Sequence, residues 1–200
     1  MKQTLFILSL LLSVRGTAYA QDAGQIGISI GYPAAIGIVW HVTDSVAVRP
    51  DISFSTGSAE STAPRFDILG STVSAASSSD STTVTVGVSG LLYLGKWDHL
   101  RTYVSPRFSY GRLSSSSGTT VTIDNTNSNY TTTGSFGAQY QIHRRFAVFG
   151  ETGFGYSHSR TSFSSGISLP VQPTFPVTTT ETVSTSWGTR SGAGVIFYFK

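Results

Sequence analysis

The 200-residue chain has no cysteine, few charged residues and no long apolar run after its first twenty positions. Without cysteine, neither a disulfide framework nor a thiolate metal site can hold it together. Charged residues make up 12 % of the chain, about half the usual fraction. The densest basic pair is Arg144-Arg145, which excludes a nucleic-acid-binding footprint. Helical periodicity is also missing after residue 20, so no helical domain is expected.

The first twenty residues have the three parts of a secretory signal. Lys2 supplies a positive start, Leu5 to Val14 an apolar run, and Ala18-Tyr19-Ala20 a cleavage site of the small-x-small type. The apolar run is about half the roughly 20 residues that a membrane-spanning helix needs. We therefore predict that residues 1–20 are a cleaved signal peptide and that residues 21–200 form one exported domain.

What the chain has instead is alternation with a period of two residues. A strand places successive side chains on opposite faces, so alternation indicates strands with two different faces. In eight stretches one face is apolar and the other is small, polar or charged. These predicted strands are residues 25–32, 35–42, 45–55, 82–94, 101–112, 130–142, 146–158 and 184–200.

The connections between these strands also alternate. Three are short turns, at residues 43–45, 96–99 and 143–145, and three are long and rich in Ser, Thr and Pro. Short turns at one rim and long loops at the other are typical of outer-membrane barrels. The sequence therefore predicts an all-β, eight-stranded antiparallel up-and-down transmembrane barrel in the bacterial outer membrane, surrounded by lipid. The predicted loops are residues 57–81, 113–129 and 159–183.

Two points of this interpretation stay open. Val121 and Ile123 before the polar tip, with Tyr130 after it, suggest a hairpin that extends past the membrane, so ten strands are an alternative to eight. A soluble secreted β-sandwich is the alternative to a barrel. Polar loops on a rigid scaffold are where function concentrates, so we expect a surface role such as adhesion, shielding or host contact.

Five charged residues have the register of the inner face: Arg49, Asp51, Arg107, Glu151 and Arg190. An Arg facing lipid at mid-bilayer would cost about 2–4 kcal/mol, so this consistent inward register favours the barrel. Three cations and two anions can form a paired network. We predict that this network fills or nearly fills the lumen. A narrow pore for small solutes is the alternative.

Aromatic residues lie mainly near the ends of the predicted strands. Amphipathic rings favour the headgroup zone of a membrane and form girdles there. We predict an aromatic girdle that consists of Trp40, Trp97, Trp187, Tyr32, Tyr110, Tyr140 and Tyr156.

No group of residues in the sequence has the spacing of a catalytic or metal site. His158, Ser162 and Glu181 could meet only if the last long loop folded back, which leaves a lipid-modifying barrel enzyme as a minor alternative. The segment at residues 124–135 lacks the glycine and the final acid of a calcium loop. We therefore predict no enzyme, no catalytic residue, no metal and no cofactor.

Three motifs carry a resemblance to a known family. They are Gly-Ile-Ser-Ile-Gly-Tyr-Pro at residues 27–33, Val-Ala-Val-Arg-Pro at 46–50 and Gly-Val-Ile-Phe-Tyr-Phe at 194–199. With the export signal, they make the chain resemble the small eight-stranded outer-membrane β-barrel family, which includes OmpX-like and OmpA-barrel-like proteins. We predict a monomer. The resemblance implies insertion by the barrel-assembly machinery, which recognises a terminal aromatic strand, here Val195, Phe197 and Phe199. Lys200 departs from this pattern because it follows the last aromatic residue.

Overall fold

The structure, a computed structural model, describes residues 23–32, 35–66, 72–118, 121–167 and 178–199. The predicted signal peptide, residues 1–20, lies outside them. No helix in the described ranges is long and apolar enough to cross a membrane. The described strands are β1 (Ile26–Tyr32), β2 (Ala35–His41), β3 (Val46–Phe66), β4 (Thr72–Trp97), β5 (Leu100–Gly118), β6 (Val121–His143), β7 (Phe146–Ile167) and β8 (Thr178–Tyr198).

The eight strands form a closed ring. Each pairs antiparallel with the next, and β1 pairs with β8 from Gly27–Tyr198 to Tyr32–Ala193. Because the ring is closed, its backbone N–H and C=O groups can pair with neighbouring strands and need no water. A sheet in hydrocarbon surroundings requires this. The predicted all-β, eight-stranded antiparallel barrel is confirmed. The two-layer sandwich is wrong, and the described residues form eight strands rather than ten.

The register of the ring fixes the tilt of its strands. The line of directly opposite residues that starts at Ile30 and runs through the successive strands reaches β8 at Thr185. The direct partner of Ile30 on β8 is Val195, ten residues further along. Eight strands with an offset of ten residues are tilted by about 40° from the barrel axis. Each residue therefore advances the chain by about 2.5 Å along the barrel axis.

The strands differ greatly in length. β1 and β2 have 7 residues each, whereas β3 to β8 have between 19 and 26. Above β1 and β2, the other six strands continue as an open sheet, which we call the six-stranded extension. Its two edges are β3 from Phe54 upward and β8 above Ala193.

The predicted long loops are therefore wrong in extent, because most of their residues belong to strands of the extension. The hairpin expected around Val121, Ile123 and Tyr130 is wrong, because all three lie in one continuous strand, β6, which pairs with β5 through the expected polar tip. Ser and Thr tracts are polar on both faces, so they show no alternation to reveal a strand. Antiparallel pairing with the neighbouring strand supplies the order that the local pattern does not show.

Outward-facing apolar side chains form a band to which all eight strands contribute. Phe146 and Tyr156 mark its two edges on β7, ten residues apart, which corresponds to about 25 Å along the axis and matches the apolar band of outer-membrane barrels. Aromatic and large apolar side chains line both edges. The upper belt, nearer the extension, consists of Phe54, Tyr110, Tyr130, Tyr156 and Trp187, and the lower belt, nearer the short turns, of Trp40, Trp97, Leu100, Tyr140, Phe146 and Phe197.

Two prolines lie inside barrel strands. The β2–β3 pairing is interrupted beside Pro50 and the β4–β5 pairing beside Pro106, with no change of register at either place. Proline has no backbone N–H to donate, so a local gap in the hydrogen bonds is the expected result. Both prolines face outward, away from the lumen.

Candidate functional site

The half of the lumen nearest the short turns is filled by a buried hydrogen-bonded cluster. Tyr93 donates from its hydroxyl to Gln139 Oε1 at 2.9 Å, and Gln139 Nε2 donates to Tyr198 Oη at 3.0 Å. Tyr198 Oη also lies 3.2 Å from His41 Nε2. The His41 ring stacks on Tyr93, with 5.5 Å between the centroids. Four strands thus meet on the barrel axis through side chains that exclude water.

Apolar side chains and one further cation complete this plug. Val39, Leu91 and Ile196 point inward and are fully buried, although the sequence suggested an inner face of small and polar residues. The sequence interpretation also missed Arg101, which is buried with its guanidinium 5.8 Å from the Tyr93 ring centroid. The alternation of β5, continued two residues back from Tyr103, would have placed Arg101 on the inner face.

Above the plug, an ion pair crosses the lumen. Arg49 Nη2 lies 2.9 Å from Glu151 Oε1 and 3.0 Å from Oε2. Arg49 lies on β3 and Glu151 on β7, so the pair joins opposite sides of an eight-stranded ring. The Tyr103 hydroxyl donates to Glu151 Oε2 at 3.2 Å, and the Arg49 guanidinium lies over the Phe149 ring.

A second ion pair lies beside the first. Arg107 Nη2 contacts Asp51 Oδ1 at 2.5 Å, and the Asp51 side chain is only 5 % exposed. Asp51 Oδ2 and Arg107 Nε are buried without a hydrogen-bond partner among the described residues. Gly87 allows this contact, because a Cβ there would lie 2.8 Å from Arg107 Nη2.

Arg190, the fifth predicted lumenal charge, lies apart from this network. It belongs to the inner face of β8, because its Cγ approaches the inward side of Gly155. It forms no ion pair with any residue in the described ranges. The predicted five-residue network is therefore two ion pairs plus one separate cation.

The outer half of the lumen is open rather than filled. A cavity of about 450 Å³ lies directly above the ion pairs and is lined mainly by hydroxyl, amide and charged side chains. Its lining includes all the polar inward positions of β6 from Asn129 to Ser135. Among the described charges, Arg107, Glu151 and Arg190 line it.

The predicted aromatic girdle divides between the two belts. Trp187 is 78 % exposed on the outer surface, and its ring packs against Tyr156 at 4.9 Å. Tyr110 is half-buried because its ring packs against Tyr130 at 5.0 Å. Trp40, Trp97 and Tyr140 are exposed near the opposite edge of the band, whereas Tyr32 is exposed at the end of β1, below the upper belt.

The predicted terminal assembly strand lies at the seam where the ring closes. Phe197 and Phe199 are exposed on the outer surface, and Val195 shares their face. The Phe197 ring packs on Phe146 of β7 at 5.0 Å between centroids. Lys200 lies outside the described residues.

The three residues considered for catalysis do not form a compact group. His158 and Ser162 lie four residues apart on β7, about 13 Å along a strand. Glu181 on β8 lies directly opposite Ser162, but its carboxylate is paired with Arg160, with 2.7 Å between Nε and Oε1. In the described ranges, no three His, Asp or Glu side chains are close enough together to hold a metal ion.

Comparison with solved structures finds a similar fold in a bacterial outer-membrane protein. A major outer membrane protein from Thermus thermophilus superposes with a TM-score of 0.56 at 10 % identity, covering 88 % of this chain and 98 % of that one. CarO from Acinetobacter baumannii matches with a TM-score of 0.41 at 13 % identity, covering 88 % and 98 %. No protein-family model and no curated protein sequence matches the chain. The chain has the eight-stranded antiparallel β-barrel fold of bacterial outer-membrane proteins.

Proposed function

We propose that this chain is a monomeric, integral protein of the bacterial outer membrane, in which a plugged barrel anchors a rigid polar sheet at the cell surface. The observation that carries the proposal is the six-stranded extension. It continues the barrel wall well beyond the upper belt and changes there from an apolar to a polar outer face. Contact with other surfaces, through adhesion, shielding or host contact, is the role that such a sheet supports best.

The extension is long and internally ordered. On β7 it runs eleven residues from Tyr156 to Ile167, which corresponds to about 27 Å along the axis. Asn127 Nδ2 donates to Ser159 Oγ at 2.7 Å, and Ser157 Oγ donates to Asn129 Oδ1 at 2.7 Å. Side-chain hydrogen bonds between β6 and β7 thus supplement the backbone pairing. They favour a fixed contact surface over a set of loose loops.

The burial of the lumenal plug supports an anchor that does not conduct. Leu91, Tyr103 and Gln139 are each about 1 % exposed and lie in the half of the lumen near the short turns. A narrow pore is the second candidate, and the open outer cavity is the observation in its favour. Single-channel recording of the purified protein in planar bilayers separates the two. We expect no steady conductance, and a stable conducting level would support the pore instead.

The proposal assigns no catalytic residue, metal or cofactor to this chain. Its partners are outer-membrane lipid around the apolar band and, during insertion, the barrel-assembly machinery. The exposed Phe197 and Phe199 on the strand that closes the ring support this route of assembly.

Membrane orientation can be tested by cysteine labelling, because the natural chain has no cysteine to interfere. Ser116→Cys places a thiol on the outer face of the extension, and Asp98→Cys places one in the short turn after Trp97. In intact cells we expect a membrane-impermeant maleimide to label Ser116→Cys, and Asp98→Cys only after lysis. Labelling of the turn in intact cells, or of the extension only after lysis, would contradict the proposed display at the surface.

A further inference from the structure

The barrel wall has a gap on one side, above β1 and β2. Tyr32, the last residue of β1, pairs with Ala193 of β8. Trp187 of the upper belt lies six residues further up β8. Six residues of tilted strand span about 15 Å along the axis. β3 and β8 face each other across this gap at three strand spacings, about 14 Å between their axes. Within the described ranges, no strand occupies it.

This gap lies at the level of the apolar band, in the part of it nearest the extension. Backbone groups on the facing edges of β3 and β8 have no strand partner there. In hydrocarbon such groups cost several kcal/mol each unless something polar satisfies them, and water in a cavity can do so. The gap is therefore compatible with a stable barrel only if it opens into a polar, water-filled interior.

The outer cavity provides such an interior. It is lined by inward-facing Arg107 and Ser109, but also by Tyr32 and Ser191, whose side chains have the outward register of β1 and β8. Tyr32 ends β1 and Ser191 lies just beyond that end on β8, so the cavity extends to the lower edge of the gap. Its volume of about 450 Å³ lies within the usual range of small-molecule sites.

The charges that line the cavity leave one positive charge unmatched. Glu151 is held by Arg49, and Arg107 is held by Asp51. Arg190 has no ion pair in the described ranges, and the buried Nε of Arg107 has no acceptor there. Guanidinium groups recognise carboxylate and phosphate oxygens through paired hydrogen bonds. One unmatched guanidinium fits a ligand with one anionic group.

We propose that the outer cavity is a binding site for a single-chain amphiphile with one anionic group. The headgroup lies inside the barrel at Arg190, and the chain leaves sideways between β3 and β8 into the membrane. The inference rests on the proposed membrane placement. A carboxylate headgroup and a phosphate headgroup both provide the anionic oxygens that a guanidinium binds.

The test uses the purified protein in phosphatidylcholine nanodiscs and a sixteen-carbon fatty acid with a nitroxide close to its carboxylate. We expect an immobilised component in the spin-label spectrum that saturates at one site per barrel. Dodecyl phosphate and laurate should each displace the label, and their relative strengths identify the preferred headgroup. Dodecyltrimethylammonium, with the same chain and a positive headgroup, should not displace it.

Arg190→Gln removes the unmatched charge and should weaken binding by about tenfold or more, since hydrogen bonds to charged groups contribute about 1.5–3 kcal/mol. Arg112→Gln is the matched control, because it removes the same charge from the exposed outer face of β5. Heat-dependent migration in gels shows separately that each variant is folded. The proposal is overturned by absent binding in folded protein, by equal loss in both variants, or by crosslinks showing that a second copy fills the gap.

Discussion

Arg49 and Glu151 are 102 positions apart in sequence and join β3 to β7 through two contacts of 2.9 and 3.0 Å. The two strands stand on opposite sides of the ring, so this ion pair spans the barrel. Side-chain exposures of 6 % and 13 % place both charges out of bulk water. The pair therefore fixes the diameter of the lumen at the level between the plug and the outer cavity.

We expect Arg49→Ala to lower the free energy of unfolding by about 3–5 kcal/mol, because Glu151 is left as a buried charge without its cation. The double variant Arg49→Met, Glu151→Leu should recover most of this loss, since it removes both charges together. Urea unfolding in detergent micelles measures both effects. Arg160→Ala is the control, because its exposed pair with Glu181 should contribute little. A loss at Arg160 equal to that at Arg49 would contradict the buried cross-lumen role.

Two glycines three residues apart on β6 should respond oppositely to a methyl group. Gly137 faces inward opposite Tyr103, and a Cβ there would lie 2.7 Å from the tyrosine Oη. We expect Gly137→Ala to destabilise the barrel by about 1–3 kcal/mol through overpacking of the plug. A Cβ at Gly134, which faces outward, meets nothing within 4 Å, so Gly134→Ala should be neutral or stabilising. Equal thermal midpoints for the two variants would show that the Tyr103 ring is not held against β6.

The difference between the outer face and the lumen can be tested with one residue type. Phe136 is 53 % exposed in the middle of the apolar band, and Phe136→Arg should cost about 2–4 kcal/mol of folding free energy in lipid bilayers. Ser109→Arg places the same side chain in the polar outer cavity, where it should cost less. Reversible unfolding from lipid vesicles compares the two. A larger loss at Ser109 than at Phe136 would reverse the assignment of the faces.

The alternation of Ile26, Ile28 and Ile30 with Gly27 and Ser29 was enough to predict a strand and its two faces. Side-chain direction in a strand depends on the parity of the position alone, so a local pattern records it. The same reasoning placed the five lumenal charges on the inner face. It failed in the Ser/Thr tracts, where both faces of the extension meet water and no contrast between them remains.

The composition of the plug was only partly predictable. Val39, Leu91 and Ile196 have the inward register, but as apolar residues they look the same as lipid-facing ones. Their environment is decided by closure of the ring, which turns one face of every strand toward a common axis. Arg101 could have been assigned by extending the β5 pattern, whereas its position over the Tyr93 ring could not.

By itself, the sequence determined the all-β class, the two faces of the barrel strands, and the inward register of five charges, because these depend on spacing along one strand. Only the tertiary structure decided that Arg49 meets Glu151, that Arg190 stays apart, and that β1 and β2 end below their neighbours. Those outcomes depend on the register between strands, which joins residues as distant in sequence as Gly27 and Tyr198 and leaves no trace in any single segment.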